Sequence, residues 1–523
     1  MPADLLISDA RVIDGTGTAA YDGWVTVIGD RIDAVGRPDE AVPQALRVVD
    51  AAGAAVAPGF IDVHNHSDIS PMTIPEMPST LRQGVTTVVV GNCGFSPYPL
   101  SSWDEALWFA FADADEFPRP SWQGWADYLD AIDDARPAVN IATLVGHGSI
   151  RREVLGDDRR APDAAELDRM VAITRDAVAD GAFGLSTGLI YVPGMYSKTE
   201  EVVALARGAA EAGGLYASHI RGEGRDLFDA VTEALTVGAQ AELPVHVSHL
   251  KCETEHVWGR TDDLLGMLRD APDATGDQYP YEAWNSYLST FLPPWAPVGE
   301  VRRIAARDHD RLREAVEHGE PDFQSSVDGV GWDRIVLETA PEGRWQGLHV
   351  AAIAQDLGME PFDAMVELLA RQPDISCIGH AMSPEDVRAI LADPDVFVAS
   401  DAWATSPDGP GGDLPVHPRG YGTFPRALAL AREEGLLPLE AMVRKMTSLP
   451  AARFGLRDRG GIETGAFADL VVFDPEAIRD TSTYEQPHSF PTGIGTVVVN
   501  GQLAWTRGDS AIQRTGRALR RSS

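Results

Sequence analysis

The sequence predicts an α/β fold: a TIM-like (β/α)8 barrel joined to a small β-sandwich domain built from both termini. Three observations predict it. The middle of the chain alternates apolar, strand-like runs with helical periodicity, the pattern of parallel βα units. Both ends carry short β-rich runs of a different kind, which suits one small domain closed by the two termini. The length of 523 residues exceeds one compact core but accommodates a barrel and a smaller domain.

The elements follow in chain order. Residues 4–13 (DLLISDARVI) and 24–35 (WVTVIGDRIDAV) mix β-branched and polar residues around the turn-forming DGTGTAAYDG, and 468–473 (ADLVVF) and 495–505 (GTVVVNGQLAW) do the same at the other end. Residues 1–57 with 431–523 are therefore expected to form the small domain, and 58–430 the barrel. Candidate staves are 59–66, 86–93, 139–147, 181–189, 215–221, 243–251, 274–281, 375–382 and 396–403, nine runs for eight places. Between them, a helix is expected over 163–180, with Asp163 and Glu166 at capping-box spacing and Leu167, Met170, Val171, Thr174 and Val178 along one face. Another is expected from Ser383, with Pro384 at its first position. Residues 285–345 are rich in Pro, Trp and charge and break the βα rhythm, as a lid or helical insert over the active-site end would.

Composition narrows the partners. Against 79 Asp and Glu stand 43 Lys and Arg, a net charge of −36, so nucleic acid and anionic membrane are not expected as partners. Only Lys198, Lys251 and Lys445 are lysines. Cys93, Cys252 and Cys377, an odd number widely spread, do not make a disulfide framework. No signal-like N-terminus or apolar run of about 18 residues is present, and a cytoplasmic protein is expected.

The ends of the staves carry the chemistry, where a βα barrel places its functional residues. His64 and His66 close the first run, Cys93 the second, His219 and His249 two later ones, and Asp401 the last. All six are side chains that ligate zinc. In an extended strand, residues two apart share a face, so His64 faces with His66, and His249 faces with Lys251, Val245 and Val247. His246 then points away and reads as a structural histidine.

PGFIDVHNHSD at 58–68 resembles the first metal motif of the amidohydrolase superfamily. TTVVVGNCGFSP (86–97), GLSTGLIYVPGMYS (184–197), SHIRGEG (218–224), VSHLK (247–251), DQYPYEA (277–283) and HPRGYGTFPRAL (417–428) extend the resemblance. With VRKMTSLPAARFGL (443–456) and ADLVVFDP (468–475), they resemble the N-acyl-D-amino-acid deacylases, or D-aminoacylases. The resemblance covers nearly the whole chain, least clearly 100–125 and 285–345. It implies that Cys93, His219 and His249 hold one tightly bound zinc. His64, His66 and Asp401 then face a second, weaker metal position that Cys93 can bridge. It further implies that Lys251 and Arg419 hold the substrate carboxylate and that Tyr191 and Tyr281 line the pocket.

This assignment fits hydrolysis of a linear amide in a small-molecule N-acyl amino acid. Zinc makes water a strong nucleophile near neutral pH, and Asp401 is the candidate base that takes its proton and returns it to the departing amine. Many amidohydrolases bridge two metals with a carboxylated lysine, but Thr187 and Gly188 occupy the fourth stave end here. That absence argues against a hydantoinase or dihydroorotase acting on a cyclic amide. An N-acylated dipeptide or peptide-like substrate, or an inactive metal-binding homologue, are the other readings. The chain departs from the family pattern at Ala402 and Trp403, which follow Asp401 where a glycine is usual, and at Asn65 and Ser197. No arginine is placed soon after LPPWA (292–296) to favour an acidic side chain, and a neutral or hydrophobic one is expected. The sequence leaves the oligomeric state open.

Overall fold

Eight parallel strands form the ring that carries the site. The computed structural model of the chain describes residues 2–321, 323–409 and 411–521. The staves are β1 (Phe60–Asp62), β2 (Val85–Val90), β3 (Asn140–Thr143, continued by Val145–Gly146) and β4 (Gly184–Gly188). They continue as β5 (Leu215–His219), β6 (Val245–Val247), β7 (Ala274–Gln278) and β8 (Phe397–Val398). Each pairs in parallel with the next. The ring closes through a parallel bridge between Asn65 and Ala402, where His66 N donates to Ala402 O and Asp401 N to His64 O, both at 2.8 Å. Asp62 pins this seam: it accepts from Ser400 N at 2.9 Å, Ser400 Oγ at 2.5 Å and Asn65 Nδ2 at 2.9 Å.

The ninth candidate stave lies outside the ring. Ser376–His380 pairs antiparallel with Ala283–Tyr287 and Ile335–Leu337 in a separate three-stranded sheet. A fully buried strand reads as a plain apolar run in either setting, so periodicity alone does not separate it from a stave. This sheet belongs with the stretch expected as an insert, which therefore reaches beyond residue 345. Helix Val301–His318 lies within it, and helices Val350–Leu357 and Pro361–Arg371 pack against the same apolar cluster.

The strands at the two ends join in one eight-stranded sheet. Ala55–Pro58 links them, pairing parallel with Ala3–Val12 and antiparallel with Leu470–Phe473.

Two helix expectations hold in detail. Ala164–Ala179 begins at a full capping box, with Glu166 N donating to Asp163 Oδ1 at 2.9 Å and Asp163 N to Glu166 Oε2 at 2.8 Å. Pro384–Ala392 starts with its proline at the first turn and Ser383 as cap.

The barrel interior is a distinct cluster. Ile61, Val89, Ala142, Ala217 and Phe397, from five staves, meet Phe454 and Leu456 from below. Alternate stave residues such as Val88, Val90, Val245 and Val247 pack outward with the helices. Among the described residues no helix is long and apolar enough to cross a membrane.

Candidate metal centre and active site

All six expected metal ligands converge at the C-terminal mouth of the barrel. Cys93 Sγ lies 3.6 Å from His219 Nδ1, 3.6 Å from His249 Nε2 and 3.3 Å from His64 Nε2. Asp401 Oδ1 lies 3.1 Å from His66 Nε2 and 3.3 Å from His64 Nε2. Two ligand groups result, Cys93 with His219 and His249, and Cys93 with His64, His66 and Asp401. The first fits zinc by its dimensions. A tetrahedral ion with Zn–S near 2.3 Å and Zn–N near 2.05 Å sets a sulfur-to-nitrogen edge of roughly 3.6 Å, the separation seen on both edges from Cys93. Cys93, shared by the two groups, occupies the place a bridging ligand needs.

The backbone is bent to achieve this. Cys93, His249 and Asp401 have φ of 53°, 35° and 51°, a left-handed conformation that costs non-glycine residues energy and clusters at functional sites. At His249 the turn corrects the shared-face expectation. Val245 and Val247 face the helices, and His246 points into the barrel interior, stacked on Phe397 at 5.3 Å. His249 enters the site because the chain turns after β6. His246 is held by Asp277 Oδ2 at 2.8 Å and Thr275 Oγ1 at 2.9 Å, a structural role.

Carboxylates that the sequence reading did not single out orient the histidines. Glu223 Oε1 lies 2.9 Å from His249 Nδ1 and accepts from Lys251 Nζ at 2.7 Å. Asp277 Oδ2 lies 3.6 Å from His64 Nδ1, and its Oδ1 accepts from His249 N at 3.0 Å. A carboxylate on the far nitrogen fixes the tautomer that leaves Nε2 free for a metal. Burial opposes ionisation of Glu223, but Lys251 and the two nearby histidines hold its carboxyl well below the usual range. Burial likewise opposes ionisation of Cys93, yet His64 and the hydrogen bonds from His219 and His249 hold the thiol far below its ordinary value. A thiolate ligand requires this.

A cavity opens above these residues. Arg419 Nη1 is paired with Asp401 Oδ2 at 2.8 Å, and its guanidinium lies 4.7 Å from the Tyr279 ring centre. Arg419, Lys251 and Tyr191 all face the cavity, with the Tyr191 ring 5.0 Å from that of His219. Tyr281 does not. It packs against His417 and Arg426, and Tyr279, two residues earlier, lines the cavity in its place. The alternation of an extended strand stops at Gln278, so the motif alone does not tell which tyrosine points in. Trp403 also lines the cavity, its ring 6.1 Å from Phe109, which stacks on His66 at 5.5 Å.

Comparison with known proteins places this arrangement. The amidohydrolase family model matches residues 47–504. The chain is 36% identical to the D-aminoacylase of Alcaligenes xylosoxydans xylosoxydans, covering 100% of this chain and 98% of the relative. A crystal structure of D-aminoacylase superposes with a TM-score of 0.82 at 35% identity, over 99% of this chain and 100% of that one. The N-acyl-D-glutamate deacylase from Bordetella bronchiseptica, solved with zinc and a phosphonate mimic of the tetrahedral intermediate, gives 0.82 at 33% identity over 100% of both chains. L-hydantoinase from Arthrobacter aurescens shares the fold at 16% identity and a TM-score of 0.57.

Proposed function

The chain belongs to the amidohydrolase family, and from that premise we propose that it is a zinc-dependent deacylase of N-acyl-D-amino acids, releasing a carboxylate and a free D-amino acid. One observation carries the reading: a cysteine and two histidines at zinc-ligand separations share a cavity with Asp401, Lys251 and Arg419. Full-length relatives that are D-aminoacylases and N-acyl-D-glutamate deacylases support it.

In this reading Cys93, His219 and His249 hold the tighter zinc, and His64, His66, Cys93 and Asp401 surround a second, weaker position. Bound zinc polarises the scissile carbonyl and makes water nucleophilic near neutral pH. The remaining work belongs to side chains. Asp401 is ionised because Arg419, His64 and His249 outweigh the penalty of burial. It takes the proton of the attacking water and delivers it to the departing nitrogen. Arg419 and Lys251 hold the substrate α-carboxylate, the guanidinium fork suiting a bidentate contact. Burial pushes the Tyr191 hydroxyl well above its ordinary pKa, so it stays protonated and donates to the oxygen on which charge develops.

The test is a panel of N-acetyl-D- and N-acetyl-L-amino acids assayed for amine release by the zinc-loaded protein. Turnover restricted to the D series is expected. Equal rates on both series, or activity only on cyclic amides such as hydantoins, would overturn the assignment.

A further inference from the structure

Glu253 stands apart from the machinery above. It is 6% exposed, lines the active-site cavity two residues beyond Lys251, and also lines a second, side cavity. The two spaces share Ile190, Glu223, Thr290 and Ser326 along with Glu253.

Its carboxylate makes no ion pair within 4 Å among the described residues, and the side-chain donor beside it is the Trp284 indole. The neighbouring charges are already committed. Lys251 donates to Glu223 at 2.7 Å. Arg221, in the side cavity, is bound to both oxygens of Glu233 at 2.9 and 3.0 Å. The buried indole of Trp284, also in the cavity wall, is a neutral neighbour that leaves the charge of Glu253 uncompensated. An ionised carboxylate buried without a charged partner is costly, and one facing open space gains from a cation brought to it.

We propose that Glu253 and the side cavity it opens onto form a subsite for a cationic group, the terminal ammonium or guanidinium of a basic D-amino acid. The subsite rests on the deacylase reading, which places the substrate α-carboxylate at Lys251 and Arg419. From there the side chain extends past Lys251 toward Glu253, with the Trp284 ring available to the cation. Burial, with the negative charge of Glu223, pushes the Glu253 carboxyl up to about 7, and an arriving cation favours its ionised form. An acidic side chain meets like charge there and is disfavoured.

The experiment compares N-acetyl-D-arginine with N-acetyl-D-citrulline, its neutral isostere, using the zinc-loaded full chain and its Glu253→Gln and Glu253→Ala variants. The expected kcat/KM ratio, arginine over citrulline, is tenfold or more for the unmodified protein and near one for both variants, the change residing in KM. Because each ratio is taken within one protein, a general loss of fold or zinc cancels. A ratio near one in the unmodified protein, or one that persists in both variants, overturns the subsite while leaving the deacylase intact. Absence of turnover on every N-acetyl-D-amino acid overturns the deacylase reading itself.

Discussion

Arg419 Nη1 stands 2.8 Å from Asp401 Oδ2, while His66 Nε2 stands 3.1 Å from the other oxygen of the same carboxylate. One aspartate thus joins the histidine side of the cavity to the guanidinium proposed to hold the substrate carboxylate. In the proposed reading a substrate carboxylate would meet a guanidinium that is already positioned, so little ordering would remain to be done on binding.

Replacement of Arg419 by Met is expected to raise KM roughly ten- to a hundredfold, the loss of about 1.5–3 kcal/mol from a charge-assisted contact. Arg419→Lys should recover only part, because an ammonium cannot make the two-point contact. Steady-state kinetics on an N-acetyl-D-amino acid check this, and an unchanged KM would remove Arg419 from the binding site.

Cys93 is shared by both ligand groups, so its loss cannot be confined to one of them. Cys93→Ala should lower the zinc content of freshly purified protein by roughly tenfold or more and abolish turnover, whereas His66→Ala, altering one group only, should keep the tighter ion. Metal analysis by mass spectrometry decides it. Full zinc occupancy in Cys93→Ala would refute the ligand assignment.

The ring and its six converging side chains were legible because stave ends recur as apolar runs that stop at His, Cys or Asp. What was not legible depended on turns. His249 reaches the site through a left-handed residue that strand alternation does not anticipate, and Tyr279 replaces Tyr281 because the chain leaves β7 at Gln278. Glu223 and Asp277 were missed for a different reason. An acid four residues after His219, or next to the end of β7, looks like any polar loop residue. The signal available was chemical: a zinc-ligating histidine needs an acceptor for its other nitrogen, and Glu223 lay within the SHIRGEG motif. The ninth apolar run could be excluded only by its antiparallel partners.

Lys445 offers a test of stability away from the site. It is fully buried, its ammonium donating to the Leu391 carbonyl, and burial pushes its pKa down to about 7 despite Asp393 and Asp395. In the unfolded chain a lysine titrates near 10.4. Below about pH 7 both states are protonated and the full burial cost applies. Between about 7 and 10.4 the unfolded state binds more protons, so this residue makes stability rise with pH. Lys445→Met should remove the rise and stabilise the protein by a few kcal/mol at pH 7. Urea unfolding of both proteins from pH 6 to 10 measures it; parallel pH profiles would show that the folded-state pKa is not depressed.

Trp403 lines the cavity in an aromatic cluster, 5.7 Å from Phe111 and 6.1 Å from Phe109, whose ring stacks on His66. If the amino-acid half of the substrate extends toward Lys251, the acyl half meets this aromatic wall. The indole then limits acyl size, and Trp403→Gly should open space for a bulkier group. Expected is a fall of roughly tenfold in kcat/KM for an N-acetyl substrate, as contacts worth about 1–3 kcal/mol per lost methylene-sized group disappear. The corresponding N-phenylacetyl substrate should lose less or gain. The decisive quantity is the ratio of the two rates in each protein, measured with zinc content confirmed equal. A ratio unaffected by the substitution would move the acyl group away from Trp403. It would also reverse the orientation that places the side chain beside Glu253.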